Sequence, residues 1–523
     1  MRKNITLLDC TLRDGAHVVG GYFGEVVIKN TIKKLIEARV DVIEVGFLSE
    51  KKHSVDYTNF CSIADLKRIL PPPMIGTSKI SLMADNVDLR SLEPNDGTIG
   101  LIRLSFKRSI WDWAIKTAHI LMKKGYKIAI NPVNCNVYDD IEYIEWIHIV
   151  NDIMPDSFSI VDTFGVMRKT DLSRIYHIVE NNLHPDITIG LHLHENLGLA
   201  YSLAQHFVEI SNPVRSINID CSLLGMGRTP GNLFTEHIMD FLNTQYGKNY
   251  QTEPAFDAAD DYIAPIKRQN PWGYATPYAL SAKYKLHRSY AEYLMEKGRL
   301  KTKDMQRILS RVDSDKAELF DEKYIENLYK AYMNISVDDD CLTKIKQKLS
   351  SYSEFVIVAP GASINQNKDK INEYIADNNA CVIAINFDPD IFTVNFVFCT
   401  NIRRYDKINI SNSQEFIITS NIIEDVQNYN YVIAYNNLVY HDDVYCDDST
   451  LMLLNLLKLA DINKVAIAGF DGYIEGKHNY YSDSFEKRQN LPYYIDKVRN
   501  TLKRYFSNMD IIFLTPSQFE KKF

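Results

Sequence analysis

Short, almost continuously apolar runs recur along residues 5–225, and stretches of helical period separate them. The runs are ITLLDCT (5–11), VDVIEVGF (40–47), KISLMA (79–84), LIRLSF (101–106), KIAINPV (127–133), SFSIVDT (157–163), TIGLHLHE (188–195) and SINIDCSLLG (216–225). Runs of this kind suit strands buried on both faces, as in parallel sheets. Between them, residues 25–40 direct Val26, Val27, Ile28, Ile32, Leu35 and Ile36 toward one broad face. Residues 110–125 have similar spacing and stop at Gly125, and residues 197–210 follow the same rule. Strand and helix alternating eight times predict a (β/α)8 TIM barrel rather than an open doubly wound sheet.

The pattern then changes. Residues 251–345 are charged and helix-rich, with Pro265, Pro271 and Pro277 near their start. They are expected to be a helical extension that covers the barrel or contributes to a homodimer contact. At about residue 346 an α/β pattern restarts with SSYSEFVIVAPGASIN, a helix and ACVIAINF. Further strands are expected at NFVFCT, EFIITS, YVIAYN, KVAIAGF and DIIFLT. The expected organisation is therefore a barrel over 1–250, a helical extension over 251–345 and a C-terminal Rossmann-like α/β domain over 346–523. The APGASIN turn could bind a nucleotide or sugar phosphate through its N–H groups, or be plain turn geometry. It lacks both common glycine-rich phosphate motifs. Asp471, after another strand, could face the same crevice.

Composition narrows the function. The 523 residues are 46% hydrophobic and 24% charged, with net charge −8, as in ordinary globular proteins. No dense Lys/Arg block exists to bind nucleic acid. No run reaches the ~18 apolar residues of a membrane span. Asp9, Arg13 and Asp14 come too early for a secretory leader, so the expected location is cytoplasmic. The eight cysteines form no CxxC pair.

In a (β/α)8 barrel, chemistry gathers at the C-terminal ends of the strands. Arg13, Asp14 and His17 follow the first run, and Asp162 and Thr163 end the sixth. His192 and His194 end the seventh, and Asn232 follows the eighth. Residues i and i+2 of a strand share a face, so both imidazoles can look into the barrel. An HxH alone is more often structural. With Asp14 at the mouth of a nearby strand it becomes a two-histidine, one-carboxylate set suited to a divalent metal ion.

In order, LDCTLRDGAH, IEVGF, VDTFG, GLHLHENLGLA and GMGRTPGN resemble the signature elements of the DRE-TIM metallolyase superfamily. These metal-dependent lyase and synthase barrels include hydroxymethylglutaryl-CoA lyase, isopropylmalate synthase and 4-hydroxy-2-oxovalerate aldolase. The resemblance covers roughly residues 4–300. Synthases there usually read RDGEQ, whereas this chain reads Arg13-Asp14-Gly15-Ala16-His17. The histidine is similar to that of the 4-hydroxy-2-oxo acid aldolases, in which it is the general base. The resemblance implies a carbon–carbon lyase using pyruvate, as a 2-oxo acid, and an aldehyde. It implies Asp14, His192 and His194 as metal ligands, with Mn2+ ahead of Mg2+, Co2+ and Zn2+. Arg13 would stabilise the enolate, Thr163 would help hold the 2-oxo acid, and Tyr278 in GYATPY would match an active-site tyrosine. Glu44, Asp162 and Asn232 are read as supports behind these groups.

Plainer readings stand beside these. Arg13 could only pair with Asp162 or Glu44, His17 could be a satisfied loop histidine, and Tyr278 could be core. Dedicated aldolases dock an aldehyde dehydrogenase through the region after the barrel, where this chain departs from them. The C-terminal half resembles accessory domains of surface-polysaccharide gene clusters, which suggests a sugar-derived aldehyde. The competing functions are a Claisen-type, acyl-CoA-dependent synthase or lyase, and a non-catalytic scaffold for a sugar-nucleotide-binding domain.

Overall fold

The computed structural model describes residues 4–50, 53–71, 78–337, 340–408, 414–440, 446–474, 479–481 and 491–520. The chain forms two compact units, Met1–Arg288 and Ser289–Phe523. The helices of 251–345 are divided between them. Thr252–Ala258, Ala264–Gln269 and Thr276–Lys283 lie in the first unit, and Ser289–Glu296, Thr302–Leu309 and Glu322–Met333 in the second. Among the described residues, no helix is long and apolar enough to cross a membrane.

The first unit is built on strands β1 (Ile5–Asp9), β2 (Val42–Leu48), β3 (Asn59–Phe60), β4 (Lys79–Asp85), β5 (Leu101–Phe106), β6 (Ile128–Pro132), β7 (Ser157–Asp162), β8 (Thr188–Leu193) and β9 (Ile217–Cys221). They follow the order β1-β9-β8-β7-β6-β5-β4-β2, all parallel, and β1 also pairs with β2. That last pairing closes an eight-stranded barrel, with the short β3 as an extra strand on β2. All eight expected strands are present. The two faces of each strand differ. Ile43, Val45, Ile102, Leu104, Ile128 and Ile130 belong to the large apolar core. The alternate positions are polar where Glu44, Arg103, Asn131, Ser159, His192 and Asp220 occur, and hydrogen bonds join Glu44, Arg103 and Asp220 across strands. A period of two thus splits runs that read as uniformly apolar.

Helices follow the expected spacing with one exception. Trp111–Lys123 buries Ala114, Thr117, Ala118 and Leu121, which lie on one face. Glu25–Glu37 buries Ile28, Thr31, Ile32 and Leu35, but Val26 is 67% exposed. Two residues before Ile28, Val26 lies about 200° around the helix, so it points away from the core.

Two glycines allow close approaches near the mouth. Gly46 has φ 153°, and a Cβ there would come within 1.9 Å of the Thr58 carbonyl oxygen. Only a residue without a side chain lets β3 pass beside β2 at this point. Gly15 is similarly confined, because a Cβ would meet the Thr11 carbonyl oxygen at 2.4 Å.

The second unit is an open, wholly parallel sheet. Its strands are β10 (Phe355–Val358), β11 (Cys381–Ile385), β12 (Phe396–Cys399), β13 (Glu415–Thr419), β14 (Tyr431–Ile433), β15 (Lys464–Ala468) and β16 (Asp510–Phe513), in the order β14-β13-β12-β11-β10-β15-β16. This is the expected Rossmann-like arrangement, and the strand order reverses between β10 and β15. The loops at that reversal are tied together. Asp471 accepts hydrogen bonds from the Ser363 N–H (2.8 Å) and from Ser363 Oγ (2.5 Å). The APGASIN turn therefore directs one of its N–H groups to a protein carboxylate.

Candidate active site

The first strand ends earlier than its apolar run. After Asp9 the chain turns, and Thr11–Asp14 form a single helical turn. Asp9 directs this turn: its carboxylate accepts from the Thr11 N–H (2.9 Å) and from Thr235 Oγ1 (2.6 Å). Thr11 Oγ1 in turn accepts from the Leu223 N–H (2.8 Å). Fixed in this way, the turn brings Arg13 and Asp14 to the barrel mouth.

There Asp14 meets the two histidines. One ligand atom from each of Asp14, His192 and His194 lies within 4.8 Å of the others, and all three residues are buried. The rings of His192 and His194 pack edge to face with centroids 5.1 Å apart. His192 is on β8. His194 lies just beyond its end, held by an isolated bridge to Asn232.

A closed circuit of buried charge supports this set. Asp14 pairs with Arg13 (3.2 Å), and Arg13 Nε donates to Glu44 (2.7 Å). Glu44 also accepts from Arg103 (3.1 Å), and Arg103 donates to Asp220. Asp220 Oδ2 lies 3.1 Å from His192 Nδ1, and His192 Nε2 lies 3.7 Å from Asp14 Oδ2. Three carboxylates face two guanidiniums, so the circuit has one excess negative charge before the imidazole is counted. In the amide orientation that satisfies its neighbours, Asn131 Oδ1 accepts from Arg103 (2.7 Å).

The donor chemistry fits a divalent ion. Burial pushes the Asp14 carboxyl upward, but Arg13, His194 and His192 outweigh it and hold it well below the usual range. Burial, reinforced by His192, lowers His194 to about 3, against the pull of Asp14, so its ring is a neutral donor. Ligands must be in these states to bind a metal. Asn232 Nδ2 donates to Asp14 Oδ2 (2.6 Å), while its Oδ1 is buried without a hydrogen-bond partner among the described residues. An unsatisfied buried oxygen beside two imidazoles and a carboxylate is a further donor for a cation. With His192 Nδ1 facing Asp220, Nε2 is the atom turned toward Asp14. A carboxylate behind a ligating histidine fixes the ring and strengthens it as a donor. Asp220→Asn is therefore expected to weaken divalent-metal binding by about 10- to 100-fold. Titration of the apoprotein with metal, followed by calorimetry, measures this.

The other expected site residues fall as follows. His17 Nε2 lies 3.9 Å from Asp14 Oδ1, its side chain is 30% exposed, and its ring meets the edge of Phe47. Burial and the Arg228 charge lower its pKa to about 4 despite Asp14. Arg13 pairs with Glu44 and Asp14. Asp162 instead accepts from Asn136 Nδ2 (2.9 Å) and from the N–H groups of Val166 and Met167, and so orders the loop after β7. Thr163 Oγ1 accepts from the Asn134 N–H (2.7 Å), which ties two mouth loops together. Tyr278 is buried on helix Thr276–Lys283. Sequence reasoning missed Asp220, Arg103 and Asn131. Their signal was a polar residue on the inward phase of a strand, visible in LIRLSF, KIAINPV and SINIDC.

A parallel eight-stranded barrel with an Asp–His–His set at its mouth has the architecture of a metal-dependent enzyme. Residues 100–260 match the family model for HMGL-like proteins. A 4-hydroxy-2-oxovalerate aldolase of Geobacillus genomosp. 3 is 24% identical over 256 residues, covering 46% of this chain and 71% of the relative. A second, from Carboxydothermus hydrogenoformans, is 25% identical and covers 58% of this chain and 94% of its own. A 2-isopropylmalate synthase of Caldanaerobacter subterraneus is 24% identical, covering 46% and 63%. The barrel is thus similar to HMGL-like proteins, among them aldolases and a synthase.

Proposed function

We propose that the barrel is a divalent-metal-dependent aldolase that joins or separates pyruvate and an aldehyde. His17 carries this reading. It stands where a synthase-type RDGEQ sequence has its glutamine, one position past that sequence's carboxylate, beside Asp14 and partly open to solvent. A neutral imidazole there can accept a proton from a substrate hydroxyl. In cleavage, His17 takes the proton of the 4-hydroxyl, the C3–C4 bond breaks and C4 becomes the aldehyde carbonyl. The electron pair of that bond passes into the pyruvate enolate, which is then protonated at C3. Condensation is the reverse, with His17 returning its proton to the new alkoxide. Arg13, held by Glu44 and Asp14, supplies positive charge for the enolate oxygen. Thr163 supports the 2-oxo acid. A divalent ion held by Asp14, His192 and His194, with Mn2+ preferred by the aldolase likeness, would supply Lewis acidity at the 2-oxo acid carbonyl. The second α/β unit extends the proposal to a sugar-derived aldehyde.

The test is pyruvate depletion in the presence of Mn2+ and a panel of sugar aldehydes. His17→Ala is expected to lower turnover on the order of 10²- to 10⁴-fold while retaining bound metal. An absence of pyruvate consumption with any aldehyde, or full activity in the variant, overturns the reading. Release of free CoA from an acyl-CoA with a 2-oxo acid acceptor would assign the Claisen-type reaction instead.

A further inference from the structure

The loop that leads from β9 to helix Thr235–Tyr246 presses against the Asp–His–His set. A Cβ at Gly227 would lie 2.3 Å from Asn232 Nδ2 and 3.0 Å from Asp14 Oδ2. The next residue, Arg228, is therefore at the edge of the site. It is partly buried, and among the described residues no hydrogen bond or ion pair engages its guanidinium. Its charge is felt by His17, His194 and His287, and by the carboxylates of Asp14 and Asp85.

Two more cations come to the same place. Arg288 NH1 donates to the carbonyl of Thr229, the residue after Arg228 (3.3 Å). The neighbouring His287 packs its ring on Phe164, just past Thr163 at the end of β7. Lys107 follows the end of β5, and its charge reaches Asp85 and His287. Among the described residues, the carboxylates whose charge acts on Arg228 are Asp14, already paired with Arg13, and Asp85 at the exposed end of β4. A partly buried guanidinium without a partner is costly unless a ligand supplies the counter-charge. Two guanidiniums and an ammonium suit a dianion better than a single carboxylate, and arginine can bind phosphate oxygens with two hydrogen bonds.

We propose that Arg228, with Arg288 and Lys107, forms an anion subsite at the barrel mouth that holds a phosphate ester on the aldehyde substrate. This rests on the aldolase reading and makes the acceptor a phosphorylated aldehyde. The reacting carbonyl sits toward His17, and the phosphate sits toward the loop after β9.

Phosphate binding tests the subsite independently of turnover. Inorganic phosphate is titrated calorimetrically into the full chain and into Arg228→Gln, Arg228→Lys, Arg288→Gln and the remote control Arg90→Gln, with circular dichroism confirming folding. Arg228→Gln is expected to weaken binding at least ~10-fold and Arg288→Gln to weaken it as well. Arg228→Lys should recover part of the loss, and Arg90→Gln should match the unaltered protein. An unaltered protein that does not bind phosphate, or an Arg228→Gln that binds it equally, overturns the proposal. In turnover with pyruvate, KM for glyceraldehyde 3-phosphate should be at least ~10-fold below that for glyceraldehyde, and Arg228→Gln should erase the gap. Equal KM values, or a preference for succinic semialdehyde, overturn the phosphate assignment. If no aldehyde depletes pyruvate, the aldolase reading fails, and the phosphate titration still decides the subsite.

Discussion

Asp14→Ala is expected to lose bound divalent metal and to lower kcat/KM for the pyruvate–aldehyde reaction on the order of a thousandfold. Asp14 is the single carboxylate in the ligand set, and its charge is held in place by Arg13, His194 and His192. Without it, two imidazoles face Arg13 with no anion between them, and a cation is repelled rather than held. Elemental analysis of the purified protein and variant gives the metal content directly. A variant that keeps its metal and its rate would show that the ion, if any, sits elsewhere. Extraction of metal from the unaltered protein should reproduce the loss, and return of the ion should reverse it. The variant should stay inactive at the metal concentration that restores the unaltered protein.

Arg103→Met should produce the largest loss of stability. Arg103 is 1% exposed and bonds both Glu44 and Asp220 inside the barrel. Methionine fills much of the volume but leaves the two carboxylates without their shared partner. Breaking a buried pair in this way costs about 3–5 kcal/mol. For a unit of this size, that corresponds to a fall in Tm on the order of 10 °C. Thermal unfolding followed by circular dichroism reads the effect. A Tm within about 2 °C of the unaltered protein would mean that the circuit does not support the barrel. The circuit also requires coupling: Arg103→Met combined with Asp220→Leu should cost less than the sum of the two changes, because Asp220→Leu removes a carboxylate that Arg103→Met leaves unpaired.

The barrel was legible because the pattern that specifies it is local. Each strand is a short apolar run, each helix has a buried stripe such as Ala114, Thr117, Ala118 and Leu121, and both repeat in alternation. Asp14, His192 and His194 could be expected together because barrel chemistry gathers at strand ends, and the structure brings one ligand atom of each within 4.8 Å of the others. The boundaries were less legible. ITLLDCT looks extended to Thr11, but the Asp9 carboxylate captures the Thr11 N–H and starts a helical turn. Asp162 is read from the sequence as a support behind the site, and pairing with Asp162 or Glu44 is the plainer alternative for Arg13. Arg13 chose Glu44, and Asp162 turned to the backbone of its own loop. Both arrangements satisfy the same groups, and only distances separate them.

The sequence by itself determined which residues are apolar, in what period, and which polar groups end each strand. From these the parallel barrel, the second α/β sheet and the candidate metal cluster of Asp14, His192 and His194 could be expected. Only the tertiary structure decided how the inward polar residues pair. Arg103 is 59 positions from Glu44 and 117 from Asp220, and it reaches both because the strands close into a ring. It likewise decided that Asp220 stands behind His192 and that, among the described residues, no hydrogen bond or ion pair engages Arg228 at the mouth. A polar residue in an apolar run announces that it needs a partner. Its identity depends on strand register and barrel closure, which are properties of the assembled chain.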